Sequence, residues 1–291
     1  MHWERCVNAE VETLDQQAEE FARDVGIPPC PTTLTNLMRE TRADEPDFRR
    51  IGRLIANDVA LAASVLKVAN SPFYGLRAKV TTVQQGLTLL GLSAATHLVT
   101  GLLLRQAFPN GSCEGMERFW KSSMATGLIA ALLARETGRT DQATAHTYGL
   151  FRDCGMAVMM RKFPIYTDIL DGSALASGEP ITEIEGERYA MNHCRVGARL
   201  AHRWQLSATL VYAIFNHHGM LTNSESIAKA SPDSRLLVSL GLVAEKLYCS
   251  ATQQVCHDWP RGGDTALEFL GMHAGMLDGL TARVKTSLQS F

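Results

Sequence analysis

The residues best suited to chemistry in this 291-residue chain are three histidines, His193, His217 and His218, and an adjacent pair, Arg152-Asp153. Neutral imidazoles and carboxylates are suitable ligands for a divalent ion that activates water. An arginine among histidines offers instead charge-assisted donors to a phosphorylated ligand. Each residue also has a plain structural role. A helical histidine is commonly satisfied by a backbone carbonyl. Adjacent helical residues point about a quarter-turn apart, so Arg152 can face solvent while Asp153 faces inward. The seven cysteines, Cys6, Cys30, Cys113, Cys154, Cys194, Cys249 and Cys256, are odd in number, scattered and without a C-x-x-C pair, which fits reduced thiols. Cys154 and Cys194 each follow a site residue, and because neighbouring helical positions diverge, both are expected to serve packing.

The elements that must position these groups read as helices. Val11, Leu14, Ala18, Phe21 and Val25 share one face of a first amphipathic helix, which Gly26-Ile27-Pro28-Pro29 stops. Ile51, Leu54 and Ile55 begin another apolar face, and Asn57-Asp58 marks a break and cap before Leu61, Val65, Leu66 and Ala69. Asn70 to Gly75 reads as a tight connection, with Phe73 and Tyr74 as wedges fixing the turn. Thr82 with Gln85 fits a capping box, and Ser93 is expected to cap the next helix after Gly91. Pro109–Gly115, Gly172–Gly178 and Asp258–Asp264 are expected to be loops. Helical faces recur at Phe119–Ala134, at Val196, Leu200 and Trp204, at Leu210 and Ile214, at Leu236, Leu240, Val243 and Leu247, and from Leu277 to Leu288. No period-two stretch persists long enough to demand a sheet, so the expected fold class is all-α.

Bulk properties narrow the function classes. Twenty-eight basic against thirty acidic residues leave almost no net charge, which removes the usual electrostatic ground for broad nucleic-acid or membrane-surface binding. Arg49, Arg50, Arg53, Arg77 and Lys79 form a local basic run, read as a solvated helix surface. The most apolar stretch, Leu87–Leu104, is interrupted by Gly91, Ser93, Thr96, His97, Thr100 and Gly101 and reads as two buried helices rather than a membrane span. The acidic, amphipathic N-terminus fits no secretory or transit peptide, and a cytoplasmic location is expected.

Two separated regions together resemble the HDOD family, the HD-related output domain of bacterial signalling proteins. The first is IPPCPTTLTNLM, then IGRLIANDVALAASVLKVANSPFYG and LGLSAATHL. Pro28, Pro31, Asp58, Asn70, Ser71, Leu90 and Gly91 match the family pattern, while Val59 stands where proline is usual. The second is FWKSSMATGLIAALLA, YGLFRDCGMAVM, ERYAMNHCRVGARLAHRWQL and AIFNHHG, which resembles the HD half of the same family. The resemblance implies a multi-helix HD-like bundle with an additional N-terminal helical subdomain. It divides the chain into an N-terminal helix over 1–26, an HDOD domain over 27–220 (27–108 and a degenerate HD-like part over 116–220), and a helical extension over 221–291.

Active HD enzymes, as the resemblance implies, hold a metal with a His, an adjacent His-Asp and a final Asp. Here those positions fall at Ser122, Arg152-Asp153 and Leu242 beside Gly241, and Met156 replaces a frequent lysine. Only Asp153 survives, and a permanent guanidinium at 152 repels a dication. That guanidinium is placed to fill the vacated cation position and pair with Asp153 or Glu187. The expected remnant pocket is Ser122, Arg152, Asp153, Glu187, His193, His217 and His218, without catalytic residues, cofactor or metal; any ion held would sit on Asp153, His193, His217 and His218. The family likeness implies a non-catalytic regulatory module acting on signalling proteins. The alternatives are a metal-dependent phosphohydrolase or phosphodiesterase, or a sensor of a nucleotide or other small phosphorylated ligand.

Overall fold

The computed structural model describes residues 25–70, 79–108, 114–170 and 179–288. The stretch Val11–Phe21, the turn from Ser71 to Gly75, Arg77, most of one predicted loop (109–113) and all of another (172–178) lie outside the described residues.

In the first half, α1 (Thr32–Thr41), α2 (Phe48–Ala56), α3 (Val59–Ala69), α4 (Val83–Leu90) and α5 (Leu92–Ala107) pack around Leu34, Leu37, Ile51, Ile55, Leu61, Val65 and Leu87, all buried. Their starts are set by side chains that satisfy free amides. Asp47 accepts from the amides of Arg49 and Arg50, and Asp58 from those of Ala60 and Leu61. Thr82 and Gln85 form the predicted capping box. The predicted cap at Ser93 is corrected: Gly91 stands between α4 and α5, with a φ of 80° that glycine adopts without strain, and Ser93 lies within α5. Asn70 ties the ends of the 71–78 connection together, its amide donating to Val80 O at 2.8 Å while its Oδ1 accepts from Val80 N at 2.7 Å. Arg49, Arg50 and Arg53 are exposed on α2.

The second half comprises α6 (Glu114–Thr137), α7 (Gln142–Phe151), α8 (Cys154–Lys162), α9 (Tyr166–Leu170), α10 (Ile181–Tyr189), α11 (His193–Arg203), α12 (Ala208–Asn216), α13 (Ser224–Lys229), α14 (Pro232–Thr252), α15 (Trp259–Leu270) and α16 (Leu277–Leu288). The long helix α14 runs through this half and packs on α6, α7, α12, α15 and α16. The two halves meet where α5 packs on α7. The proline segment is also tied down: the Trp204 indole N–H donates to Pro28 O at 3.2 Å and Arg203 to Ile27 O at 3.3 Å. Among the described residues there is no strand, and no helix is long and apolar enough to cross a membrane.

The predicted loop Asp258–Asp264 is corrected to the start of α15. Its Pro260 falls in the first turn, where no amide donor is needed. Gly262 and Gly263 are there for space: a Cβ at Gly262 would sit 3.1 Å from Leu221 Cβ, and one at Gly263 2.7 Å from the Trp259 ring. A second close approach positions the site. A Cβ at Gly155 on α8 would fall on the carbonyl oxygen of His193 and lie 2.7 Å from the Gly197 amide nitrogen on α11. The bare glycines thus set the α8–α11 spacing.

Candidate functional site

Asp153 lies between the end of α7 and the start of α8, His193 opens α11, and His217 and His218 follow the end of α12. The tight α8–α11 contact and the α11–α12 packing bring these four residues together. Asp153 Oδ1 lies 3.1 Å from His217 Nε2 and 3.7 Å from His193 Nε2. His193 Nε2 lies 3.4 Å from His217 Nε2 and 3.0 Å from His218 Nε2.

The outer nitrogen of each ring faces an oxygen. His193 Nδ1 faces Glu185 at 2.8 Å, His217 Nδ1 faces Ile214 O at 2.7 Å, and His218 Nδ1 faces Asp258 at 2.5 Å. A carbonyl or carboxylate oxygen accepts, so each Nδ1 carries the proton and each Nε2 is turned inward. His217 Nε2 also faces the Asp153 carboxylate, which favours a proton there; without that proton, the inward Nε2 lone pairs repel one another unless a positive charge joins them. A proton supplies one. A divalent ion supplies another, since a tetrahedral metal with bonds of about 2.0–2.1 Å holds imidazole nitrogens about 3.3 Å apart.

Glu185 is completely buried and satisfied: the Tyr166 hydroxyl donates to Oε1, and the His193 amide donates to Oε2 at 2.9 Å. Burial opposes its charge, but His193 outweighs burial and lowers its pKa. Burial likewise opposes the imidazolium form of His193 and His217. Cys194 and Glu185 nevertheless hold His193 well above its usual value, and Cys194 with Asp153 raises His217 to about 9. Asp153 is held below the usual carboxylate range, burial being outweighed first by Arg152 and then by His217.

Arg152 occupies the other side of Asp153. It is 4% exposed, with Nε 3.3 Å from Asp153 Oδ2, Nη1 2.9 Å from Glu245 Oε2, and Nη1 donating to Gly241 O at 3.1 Å. The guanidinium is therefore a fixed internal cation bridging the α7–α8 junction and α14. Gly241 makes room for the Tyr148 ring: a Cβ there would press on it at 2.6 Å, while Arg152 Cδ at 3.5 Å would be in ordinary contact.

The structure gathers Arg152, Asp153, His193, His217 and His218, and separates Ser122 and Glu187 from them. The Ser122 hydroxyl donates to Phe119 O at 2.9 Å, and Ser122 lines an adjoining cavity of about 460 Å³ with Arg118, Lys121, Tyr248 and Met156. Glu187 is exposed because the buried stripe of α10 is Ile181, Ile184 and Glu185. The acids beside Arg152 are Asp153 and Glu245 rather than Glu187, and the acid behind His193 is Glu185. Leu242 is buried and apolar, and Met156 lines a cavity of about 190 Å³ with Arg152, Asp153, His218, Glu245 and Asp258. Cys154 donates to Gly197 O at 3.7 Å, in a packing role. Cys194 does more than pack: its sulfur lies 3.6 Å from His193 Nε2 and shares a 4.8 Å sphere with nitrogens of all three histidines. Burial raises a thiol pKa, but those histidines draw Cys194 well below the usual range. Glu185 carries a partial sequence signal, the i, i+3, i+4 stripe it shares with Ile181 and Ile184; Glu245 and Asp258 lie beyond the matched motifs and carried none.

An ion bound as in active HD enzymes does not fit the residues at the four expected positions, since Ser122 points elsewhere, Leu242 offers no donor and Arg152 already supplies the positive charge. The imidazole cluster is a separate donor set, and its geometry does fit a single ion.

The all-helical, HD-like fold defines the class of protein. Residues 27–220 match the HDOD domain, and the chain belongs to the HDOD family. An HDOD domain protein with unknown function from Geobacter sulfurreducens superposes with a TM-score of 0.69 at 19% identity, covering 96% of this chain and 98% of that one. A Shewanella amazonensis SB2B protein whose name proposes a phosphohydrolase superposes with a TM-score of 0.70 at 20% identity, covering 94% and 96%. A Marinobacter aquaeolei VT8 protein whose name proposes signal transduction has a TM-score of 0.63 at 19% identity, covering 93% of this chain and 60% of that one. These likenesses show the fold. An uncharacterized protein of Treponema pallidum (strain Nichols) is 26% identical over 219 residues, 74% of this chain and 42% of that protein. YuxH of Bacillus subtilis (strain 168), also uncharacterized, is 28% identical over 115 residues, 40% of this chain and 28% of YuxH. The chain thus spans less than half the length of the curated relatives it matches.

Proposed function

We propose that this chain is a non-catalytic regulatory module of HDOD type that acts through protein–protein contacts with signalling proteins. The observation that carries this reading is Arg152, a buried guanidinium at ion-pair distance from Asp153 and Glu245 and hydrogen-bonded to the Gly241 carbonyl. It stands where an HD enzyme presents a metal-binding histidine, and it neutralises the one surviving carboxylate. A dication beside it meets a charge that does not titrate, so water activation at that position has no support. The neighbouring signal-transduction protein of Marinobacter aquaeolei agrees with this role in name alone.

A second reading has its own observation. The three convergent Nε2 atoms, each ring held by a fixed oxygen at Nδ1, match the arrangement of metal-bound histidines. On this reading His193, His217, His218 and Asp153 hold one divalent ion and support phosphoester hydrolysis of HD type. Sensing of a phosphorylated ligand would use the cavity of about 190 Å³ beside Arg152 and His218, which shares Met156, Leu170 and His257 with the adjoining cavity of about 460 Å³.

Elemental analysis of the purified full chain separates the readings. The regulatory reading expects no Fe, Mn or Zn that survives dialysis in proportion to the imidazole cluster and supports hydrolysis. One equivalent of metal, lost together with phosphodiesterase turnover in His217→Ala, establishes the second reading instead.

A further inference from the structure

Away from the imidazole cluster, the end of α14 and the segment after it gather a second set of donors. Glu245 and Cys249 lie one helical turn apart and so share a face of α14. Gln253 ends the helix in the left-handed conformation with φ of 59°, and Gln254 N donates to Cys249 O at 2.8 Å. This reversal returns Cys256 to the same face. Both cysteines are free thiols, 6% and 7% exposed. Their sulfurs and a Glu245 carboxylate oxygen all lie within 4.8 Å of one another.

We propose that Cys249, Cys256 and Glu245 form a binding site for one thiophilic divalent cation of the zinc class. Two sulfurs and a carboxylate are a donor set that such ions prefer over magnesium or calcium. A tetrahedral ion with Zn–S bonds of about 2.3 Å holds its ligand atoms about 3.5–4 Å apart, and the three donor atoms already lie within 4.8 Å of one another. Three protein ligands leave a fourth position for water.

Charge supports the assignment. Two thiolates and a carboxylate carry three negative charges against the two of a dication, and this offsets the repulsion from Arg152, 2.9 Å from Glu245, which the single carboxylate of Asp153 does not offset. Glu245 therefore touches both the guanidinium and the proposed ion. The donors are distinct from His193, Cys194, His217 and His218, and the inference does not depend on the regulatory reading above.

Titration of the reduced full chain with Co²⁺, followed by absorbance, tests the site. A thiolate-to-cobalt charge-transfer band saturating at one equivalent is expected, and competing Zn²⁺ abolishes it. Cys249→Ser with Cys256→Ser removes the band, Cys194→Ala retains it, and Glu245→Gln retains it with weaker binding. Should the double variant fail to fold by circular dichroism, Cys256→Ala alone, in the connecting segment, is expected to lose about half the band intensity. No band in the wild type, a band unchanged by loss of these thiols, or a band lost only in Cys194→Ala overturns the proposal.

Discussion

Arg152 and Asp153 are sequence neighbours whose charges meet inside the molecule, and the guanidinium goes on to engage Glu245 from α14. Breaking such a buried set from one side leaves carboxylates without their counter-charge, which costs far more than an exposed pair is worth. Arg152→Met is expected to destabilise the fold by about 3–5 kcal/mol in urea denaturation; a loss below about 1 kcal/mol would contradict the role of internal cation. His146 supplies a pH-dependent counterpart. Burial, reinforced by the neighbouring His97, lowers its pKa from 6.5 to about 4. Between those values the unfolded chain binds a proton that the folded chain refuses, so stability falls as pH drops from about 6.5 to about 4. His146→Gln should remove on the order of 2 kcal/mol of that dependence, measured as the difference in unfolding free energy at pH 7 and pH 4.5. At this scale the sequence made the histidines, Asp153 and Arg152 legible through type and spacing. It assigned the wrong acid on α10, because only the apolar stripe of Ile181 and Ile184 tells that Glu185, rather than Glu187, turns inward.

At the scale of elements, position is set by caps and by close helix contacts. The capping box of Thr82 and Gln85 and the Asp58 cap are local chemistry and were readable. Helix α15 was not, since Trp-Pro-Arg-Gly-Gly-Asp looks like a turn until Leu221, Leu242 and the Trp259 ring are seen to require bare backbone there. The same physics governs α8 and α11, where a methyl on Gly155 would meet the His193 carbonyl and the Gly197 amide, neither of which can rotate aside. Gly155→Ala is therefore expected to cost about 3 kcal/mol or more and to displace His193 from Asp153. Thermal unfolding, with the imidazole proton resonances as a site-specific readout, checks both effects. A variant of unchanged stability and unchanged His193 resonance would contradict the assigned contact.

For the whole molecule, the family match ends at residue 220, yet the region beyond it completes the interior. Helix α14 packs on α6, α7 and α12, and this region brings the Gly241 carbonyl, Glu245 and Asp258 to the site. A fragment ending at Gly219 exposes those helix faces and leaves Arg152 without Glu245, and is expected to lose cooperative unfolding, as read by near-ultraviolet circular dichroism during a thermal ramp. The all-helical class was legible because the apolar periodicity from Phe119 to Leu288 never left the helical repeat. The joining of the extension to the site was not, since contacts between residues such as Arg152 and Glu245 span a sequence distance that no motif links. The central proposal is that Arg152 stands where an HD enzyme presents a ligand to its catalytic ion. The most direct measurement is hydrolysis of a chromogenic phosphodiester by the full chain saturated in turn with Mn²⁺, Fe²⁺, Zn²⁺ and Mg²⁺. The account predicts no turnover above the metal-only blank. Turnover that disappears in both Asp153→Asn and His217→Ala would contradict it.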